Sequence, residues 1–186
     1  MNNFLIEPLN KYKIPYYLSN PKTVKDIETE VLEIGKITGH SQHAKAVIAD
    51  MEKDLSSVTT STKNPTVYYE VWNAPYMSIG SSSFINDVIT LAGGKNLFAD
   101  IQDAYPIVSE ESILSRNPDI VLIPKSLQLS PKDFISRNGW ESITASKMYT
   151  YKIVDDNILS RPTPRVTSYI KSLNYYFSKD LDKWDN

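Results

Sequence analysis

The residues of this chain best suited to chemistry are aromatic and carboxylate side chains. Trp72, Tyr76, Tyr105 and Trp140 lie in loops that follow predicted strands. Broad aromatic faces combined with a few fixed polar groups are typical of sites that bind a large planar ligand. Ordinary packing is the alternative role for each ring, because aromatic side chains also fill protein cores. The sequence therefore predicts a binding site in these loops, built on aromatic surfaces.

Catalytic and metal-binding groups are scarce. His40 and His43 stand around a predicted helix start, and no carboxylate cluster completes the three or four ligands that a zinc site needs. Glu110 and Glu111 are adjacent, so on a helix they point in different directions and do not share a reacting centre. Without cysteine the chain has no disulfide, thiolate ligand or cysteine nucleophile. We expect no enzyme, no catalytic residue, no metal site and no cofactor.

A polar stretch, Gly-Ser-Ser-Ser at residues 80–83, precedes a predicted helix and invites comparison with a phosphate-binding loop. It lacks the Gly-Lys-Ser/Thr ending that such loops carry. Capping of the following helix by Ser82 or Ser83 is the interpretation that we favour.

Composition places the chain among ordinary globular proteins. It has 186 residues, of which 41% are hydrophobic and 23% charged, and its net charge is -2. No basic patch is visible, so nucleic acid is not an expected partner. No apolar run approaches the roughly 18 residues of a membrane helix. Residues 1–9 lack the charged start and apolar core of a signal peptide.

Strands and helices alternate along the chain, which predicts an α/β fold with a mostly parallel sheet and helices on both of its faces. The predicted strands are residues 14–18, 66–71, 119–123 and 148–154. The predicted helices are residues 24–37, 41–57, 84–92, a short one beginning at 109, 130–137 and 165–180. Residues 56–64 are predicted as a solvated linker, and residues 155–164 as a polar loop.

Five motifs in fixed order resemble one family. They are Gly-Ser-Ser-Ser-Phe at 80–84, Ala-Gly-Gly-Lys-Asn-Leu at 92–97, Val-Ser-Glu-Glu at 108–111, Asn-Pro-Asp at 117–119 and Arg-Pro-Thr-Pro-Arg at 161–165. Together they resemble the substrate-binding proteins of ABC importers for iron complexes, such as siderophores or haem, and for cobalamin. In that family two Rossmann-like lobes are joined by one long helix.

The resemblance implies a division of the chain. Residues 1–40 match a remnant of the first lobe, 41–64 the long connector helix and its linker, and 65–186 a complete second lobe. The first strands of the first lobe have no counterpart, so we expect a fragment or a truncated product. An incomplete first lobe would leave a sheet edge open, through which the chain could dimerise.

The resemblance also implies roles for individual residues. Ligand contact falls on Trp72, Asn73, Tyr76 and Tyr105, and on Arg161, whose cation would meet acidic groups of the ligand. The resemblance assigns docking on the membrane permease to Glu111, or to Glu110 if the register is shifted by one residue. Both glutamates also suit the first turn of a helix, where negative charge is favourable.

The resemblance thus implies a binding protein that captures a small metal complex and delivers it to an ABC permease. It implies an extracytoplasmic location, with the membrane anchor or signal sequence carried by the full-length protein. Two alternatives stay open. One is a chelatase-like subunit of a tetrapyrrole enzyme, which requires histidine or carboxylate ligands in the cleft. The other is a sensor or adaptor module that has the fold without a ligand.

Overall fold

The computed structural model describes residues 3–59 and 63–178. Its helices are α1 (Asn3–Lys11), α2 (Val24–Ile37), α3 (Ser41–Ser56), α4 (Phe84–Leu91), α5 (Glu110–Arg116), α6 (Pro131–Ile135), α7 (Thr144–Lys147), α8 (Asp156–Leu159) and α9 (Val166–Ser178). Its strands are β1 (Thr66–Tyr69), β2 (Trp72–Asn73), β3 (Tyr76–Met77), β4 (Lys95–Asn96), β5 (Ile120–Pro124) and β6 (Tyr151–Val154). Short 3-10 turns lie at Lys125–Leu127 and Trp140–Ser142.

Four strands form a parallel sheet in the order β4-β1-β5-β6. Side chains alternate along each strand, so Val67 and Tyr69 of β1 enter one core while Tyr68 enters the other. The first core contains residues of α2, α4 and α9, and the second contains residues of α5, α6 and α7. Because apolar layers cover both faces, β5 is buried along its whole length. The predicted α/β class with helices on both faces is confirmed.

Helix starts follow the capping residues that the sequence offers. Thr23 and Asp26 form a reciprocal capping box at α2, and Ser83 accepts a hydrogen bond from the backbone N–H of Ile85 at α4. Ser109 caps α5 in the same way. At α3 the cap position is His40, and its side chain makes no capping hydrogen bond.

The predicted strand at residues 14–18 is wrong. The segment has no strand partner in the described part of the chain, and most of its side chains are exposed. A single extended segment cannot satisfy its backbone groups as a strand does, so its hydrophobic pattern alone was misleading. A side-chain hydrogen bond connects this segment to α2: the Tyr17 hydroxyl donates to Glu33 Oε2 at 2.6 Å.

Two further regions differ by three or more residues from their predicted bounds. The predicted strand 148–154 begins only at Tyr151, because Tyr149 takes a left-handed conformation with φ of 53° directly after α7. The predicted loop 155–164 contains α8, which Asp155 caps. Residues 179 and 180, the predicted end of the last helix, and residues 60–62 of the predicted linker lie outside the described residues.

The predicted connector corresponds to α3, which packs against α2 and α9 through residues such as Ala44 and Met51. Its end is fastened by Asn174 of α9. The Asn174 side chain accepts hydrogen bonds from the backbone N–H and hydroxyl of Thr59, and it donates to the carbonyls of Thr59 and Ala92. Whether α3 joins two lobes stays a prediction, as do the boundaries at residues 40 and 64.

Candidate functional site

The carboxyl ends of the parallel strands share one edge of the sheet, which is where α/β folds place ligands. The chain that leaves β1 forms the β2–β3 hairpin, and the chain that leaves β4 runs through the loop of Tyr105. The chain that leaves β6 forms α8 and then reaches Arg161. Most of the aromatic residues singled out in the sequence are therefore brought to this edge.

The hairpin presents Trp72 and Asn73, which pair with Met77 and Tyr76. Trp72 is 52% exposed, and its indole N–H donates to the carbonyl of Ala74 at 3.0 Å. Because that polar group already has a partner, the ring offers its apolar surface to a ligand. Asn73 is exposed beside it.

The Tyr105 loop is held against the segment that follows the hairpin. The backbone N–H of Ser78 donates to the Pro106 carbonyl at 3.0 Å, and that of Gly80 to the Ala104 carbonyl at 3.1 Å. A Cβ at Gly80 would lie 2.0 Å from the carbonyl oxygen of Asp103, so this close approach requires glycine. The backbone that carries Tyr105, itself 47% exposed, is therefore positioned by a fixed neighbour.

The serines after Gly80 have structural roles. Ser83 caps α4, as predicted, whereas the Ser82 hydroxyl donates to the Gln102 carbonyl at 2.6 Å. Ser82 and Gly80 thus hold the Tyr105 loop in place, while Ser83 fixes the start of α4.

A pocket of about 260 Å³ opens between the ends of β1, β5 and β6. Tyr105 lines it together with Tyr69, Ser126, Asp156 and Ser160. None of the other predicted contact residues is part of this lining. Trp72 and Asn73 lie on the neighbouring hairpin, and Arg161 directly follows Ser160 and is exposed. Ligand contact by these residues stays a prediction.

The Tyr76 side chain packs against the second core, next to Glu110 of α5 and Trp140, and not in the pocket. Its hydroxyl donates to Glu110 Oε1 at 2.8 Å, and the same oxygen accepts the indole N–H of buried Trp140 at 2.8 Å. Burial and the hydrogen bond to Glu110 raise the pKa of Tyr76 to about 12. Any ligand contact by Tyr76 would have to use its half-buried ring.

The two candidate docking residues have different surroundings. Glu110 is engaged by Tyr76 and Trp140, so its carboxylate serves the interior of the protein. Glu111 is exposed in the first turn of α5. The geometry thus favours Glu111 over Glu110 as a surface contact, although the docking role itself stays a prediction.

An ion pair between Glu70 and Arg137 was not predicted from the sequence. The Glu70 side chain is fully buried, and both terminal nitrogens of Arg137 donate to it, at 2.7 and 2.8 Å. Arg137 also stacks on the rings of Phe134, Trp140 and Tyr76. The available signal was a glutamate directly after a buried strand, since a buried charge needs a partner.

His40 and His43 contribute to a different surface, an apolar groove formed mainly by α2 and α3. In the described residues no cluster of three or more histidine, aspartate or glutamate side chains is placed to hold a metal ion. In the same residues no helix is long and apolar enough to cross a membrane.

Solved structures show the same fold. A possible iron-binding (periplasmic solute-binding) protein from Staphylococcus epidermidis superposes with a TM-score of 0.79 at 27% identity, covering 95% of this chain and 71% of that one. The periplasmic haem-binding protein RhuT from Roseiflexus sp. RS-1 gives a TM-score of 0.81 at 18% identity, over 93% of this chain and 70% of that one.

A vitamin B12-binding protein of Vibrio parahaemolyticus is 21% identical over 175 residues, which is 92% of this chain. The chain spans 63% of that relative's length. A family model described as periplasmic binding protein matches residues 7–151. Since this match takes in well over half of the 186 residues, the chain belongs to the periplasmic binding protein family.

Proposed function

We propose that this protein is the substrate-binding component of an ABC importer, which captures an iron complex or cobalamin and delivers it to a membrane permease. The observation that carries the proposal is the placement of Tyr105 and Trp72, both about half exposed, at the edge of the sheet where this fold binds ligands. The named relatives, a vitamin B12-binding protein and a haem-binding protein, support this class of ligand. Such a protein works outside the cytoplasmic membrane.

The site is suited to binding rather than catalysis. A chelatase-like enzyme would need a set of histidine or carboxylate ligands in the pocket, whereas His40 and His43 line the groove between α2 and α3 and the pocket lining offers a single carboxylate. The pocket near Tyr105 instead carries hydroxyl groups and one carboxylate, that of Asp156. These groups can orient a ligand by hydrogen bonds without reacting with it.

The partners follow from the same proposal. The exposed carboxylate of Glu111 would meet the permease, and the ligand would lie against Trp72 and Tyr105. A dimer formed through the sheet edge that an incomplete first lobe would leave open is a further proposed partner relationship. In the described sheet, β6 is also an edge strand, and its Ile153 is exposed.

Tryptophan fluorescence tests the proposal directly. Haem, cobalamin and ferric siderophores are titrated into the chain, and saturable quenching at micromolar concentration is the expected result for one of them. The remaining tryptophans still report binding in Trp72→Ala, and this variant should bind with a higher dissociation constant, because the exposed indole face is lost. An unchanged dissociation constant in the variant would contradict the position of the ligand, and no saturable binding of any complex would overturn the function.

A further inference from the structure

The pocket beside Tyr105 is small. At about 260 Å³ it lies below the roughly 300–1,000 Å³ of pockets that enclose a whole small-molecule ligand. A metal macrocycle or a siderophore core therefore does not fit inside it. A single arm projecting from such a ligand does fit, so the lining of the pocket bears on the chemistry of that arm.

Tyr69 forms part of this lining and is only 3% exposed. No hydrogen bond within residues 3–59 and 63–178 uses its hydroxyl. Burial raises the pKa of Tyr69, and Asp156 and Tyr105, which line the same pocket, act in the same direction. The hydroxyl oxygen is not among the fully enclosed unpaired atoms of the described residues, so it is open to the pocket and free to pair with a ligand group.

Asp156 supplies the charge of the pocket. Its Oδ1 accepts the backbone N–H of Ser126 at 3.1 Å, which fixes the carboxylate beside the end of β5. The Ser160 hydroxyl donates to the Asp156 backbone carbonyl one turn later, so the segment is held at both ends. Among the described residues, neither lysine nor arginine lines this pocket. The lining itself therefore carries one negative charge, whereas Arg161, which follows Ser160, lies outside the lining, is exposed, and is assigned to a different part of the proposed ligand site.

We propose that this pocket accepts an N–H donor arm of the bound metal complex, an amide or an ammonium group, through Asp156 and the hydroxyl of Tyr69, and that it selects against a carboxylate arm. The inference rests on the proposed function, since it presumes a metal complex in the adjacent cleft. The pocket then gives the site a ligand preference: complexes with amide or amine arms bind more tightly than complexes whose arms end in carboxylates.

The physical reason lies in charge and hydrogen-bonding capacity. An N–H arm can donate to the carboxylate of Asp156 and to the oxygen of Tyr69, whereas a carboxylate arm brings a second negative charge toward Asp156. Hydrogen bonds that involve a charged group are the strong ones. The neutral hydroxyl of Tyr69 can either accept from an N–H arm or donate to a carboxylate arm, so the discrimination between the two rests on Asp156.

Matched ligand pairs test the inference on the full chain. The first pair is cyanocobalamin and a monocarboxylic derivative in which one side-chain amide is hydrolysed. The second is ferrioxamine B, which carries a free ammonium group, and its cyclic analogue ferrioxamine E, which does not. The wild-type chain should bind the N–H member of the pair it recognises about tenfold more tightly, as expected for one charge-assisted hydrogen bond.

Asp156→Asn keeps the shape of the side chain and should reduce that preference to about threefold or less, because the charge is lost. Tyr69→Phe should weaken binding of the N–H ligand while the preference largely persists. Asp50→Asn, the same charge change on the exposed face of α3, should leave both affinities unchanged. Circular dichroism verifies that each variant is folded.

The outcomes separate the two proposals. Binding of a complex with equal affinity for both members of its pair, or an unchanged preference in Asp156→Asn, overturns the selectivity of the pocket and leaves the transport function standing. Failure of all four complexes and of haem to bind the wild-type chain overturns the proposed function and this inference with it.

Discussion

Arg137 donates two hydrogen bonds to the buried carboxylate of Glu70, from Nη1 to Oε2 at 2.7 Å and from Nη2 to Oε1 at 2.8 Å. Glu70 directly follows β1, and Arg137 lies just beyond α6. The pair thus joins the sheet to the helical layer that carries Trp140. The Tyr68 hydroxyl adds a third donor to Glu70, at 3.2 Å, so the buried charge is well satisfied.

Breaking this pair should strongly destabilise the protein. Arg137→Leu leaves the Glu70 carboxylate buried without its cation, and we expect a loss of about 3–5 kcal/mol in the free energy of unfolding. Urea denaturation measures it. Asp100→Asn, which breaks the exposed pair of Asp100 with Arg116, should cost much less. Similar losses in the two variants would contradict the special role of the buried pair.

Charge reversal at Glu111 should separate binding from transport. Glu111→Arg places a cation on the surface of α5 without touching the pocket, so ligand affinity should remain within about twofold, a change under 0.5 kcal/mol. Helix stability should fall by about 0.3–1 kcal/mol, because negative charge is favoured in the first turn. Uptake into vesicles that carry the permease should be abolished.

The control for that experiment is Glu52→Arg, the same reversal on the exposed face of α3. Since α3 packs on the other face of the sheet from α5, this variant should support uptake at the wild-type rate. Normal uptake with Glu111→Arg would refute the docking role.

Gly80→Ala should disturb the Tyr105 loop. The added methyl group would lie 2.0 and 2.4 Å from the carbonyl oxygens of Asp103 and Ile101, so the loop must move outward. We expect a destabilisation of about 1–3 kcal/mol, as for other overpacked sites, together with weaker ligand binding. Ser81→Ala is the control, because it removes only one hydroxyl hydrogen bond to the Ile101 carbonyl. Thermal denaturation and ligand titration that find both variants equal would argue against the proposed constraint.

The free energy of unfolding should fall at alkaline pH because of the raised pKa of Tyr76. Its pKa is raised from 10.0 to about 12 by burial and by the hydrogen bond to Glu110, so the folded state favours the neutral phenol. The resulting stabilisation is fully present below pH 10 and is lost as the pH rises through about 12. In Tyr76→Phe this part of the pH dependence should disappear from the unfolding free energy.

Glu110→Gln provides the matching comparison for Tyr76. It removes the charge but keeps an accepting oxygen, so the titration of Tyr76, followed by tyrosinate absorbance, should shift part of the way toward 10.0. An unchanged titration would mean that Glu110 does not influence the phenol.

Local signals in the sequence predicted much of the fold. Thr23, Ser83 and Ser109 each precede a helix and cap it, because a capping side chain acts on backbone groups two or three residues away. The buried strand β5 was predicted from a continuous apolar run, which is also a signal carried by neighbouring residues. The motif residue Asn117 likewise ends α5 in a left-handed conformation and binds Thr144 through its side chain.

Long-range relationships could not be predicted in this way. Glu70 and Arg137 are 67 residues apart, and no spacing rule connects them. The same holds for Tyr76, whose hydroxyl turned out to face Glu110 rather than the pocket. Tyr69 and Asp156, which line the pocket, were missed because one looked like an ordinary strand residue and the other like part of a polar loop. The role of each of these residues depends on neighbours that are distant in the sequence and come close only in the folded chain.

The hydrogen bonds of Asn174 have a mechanical consequence. One amide group joins Thr59 to α9 and to the carbonyl that ends α4, so the segment that follows α3 cannot separate from α9 unless these four hydrogen bonds break. A displacement of this segment would therefore act first on α9 and on the end of α4.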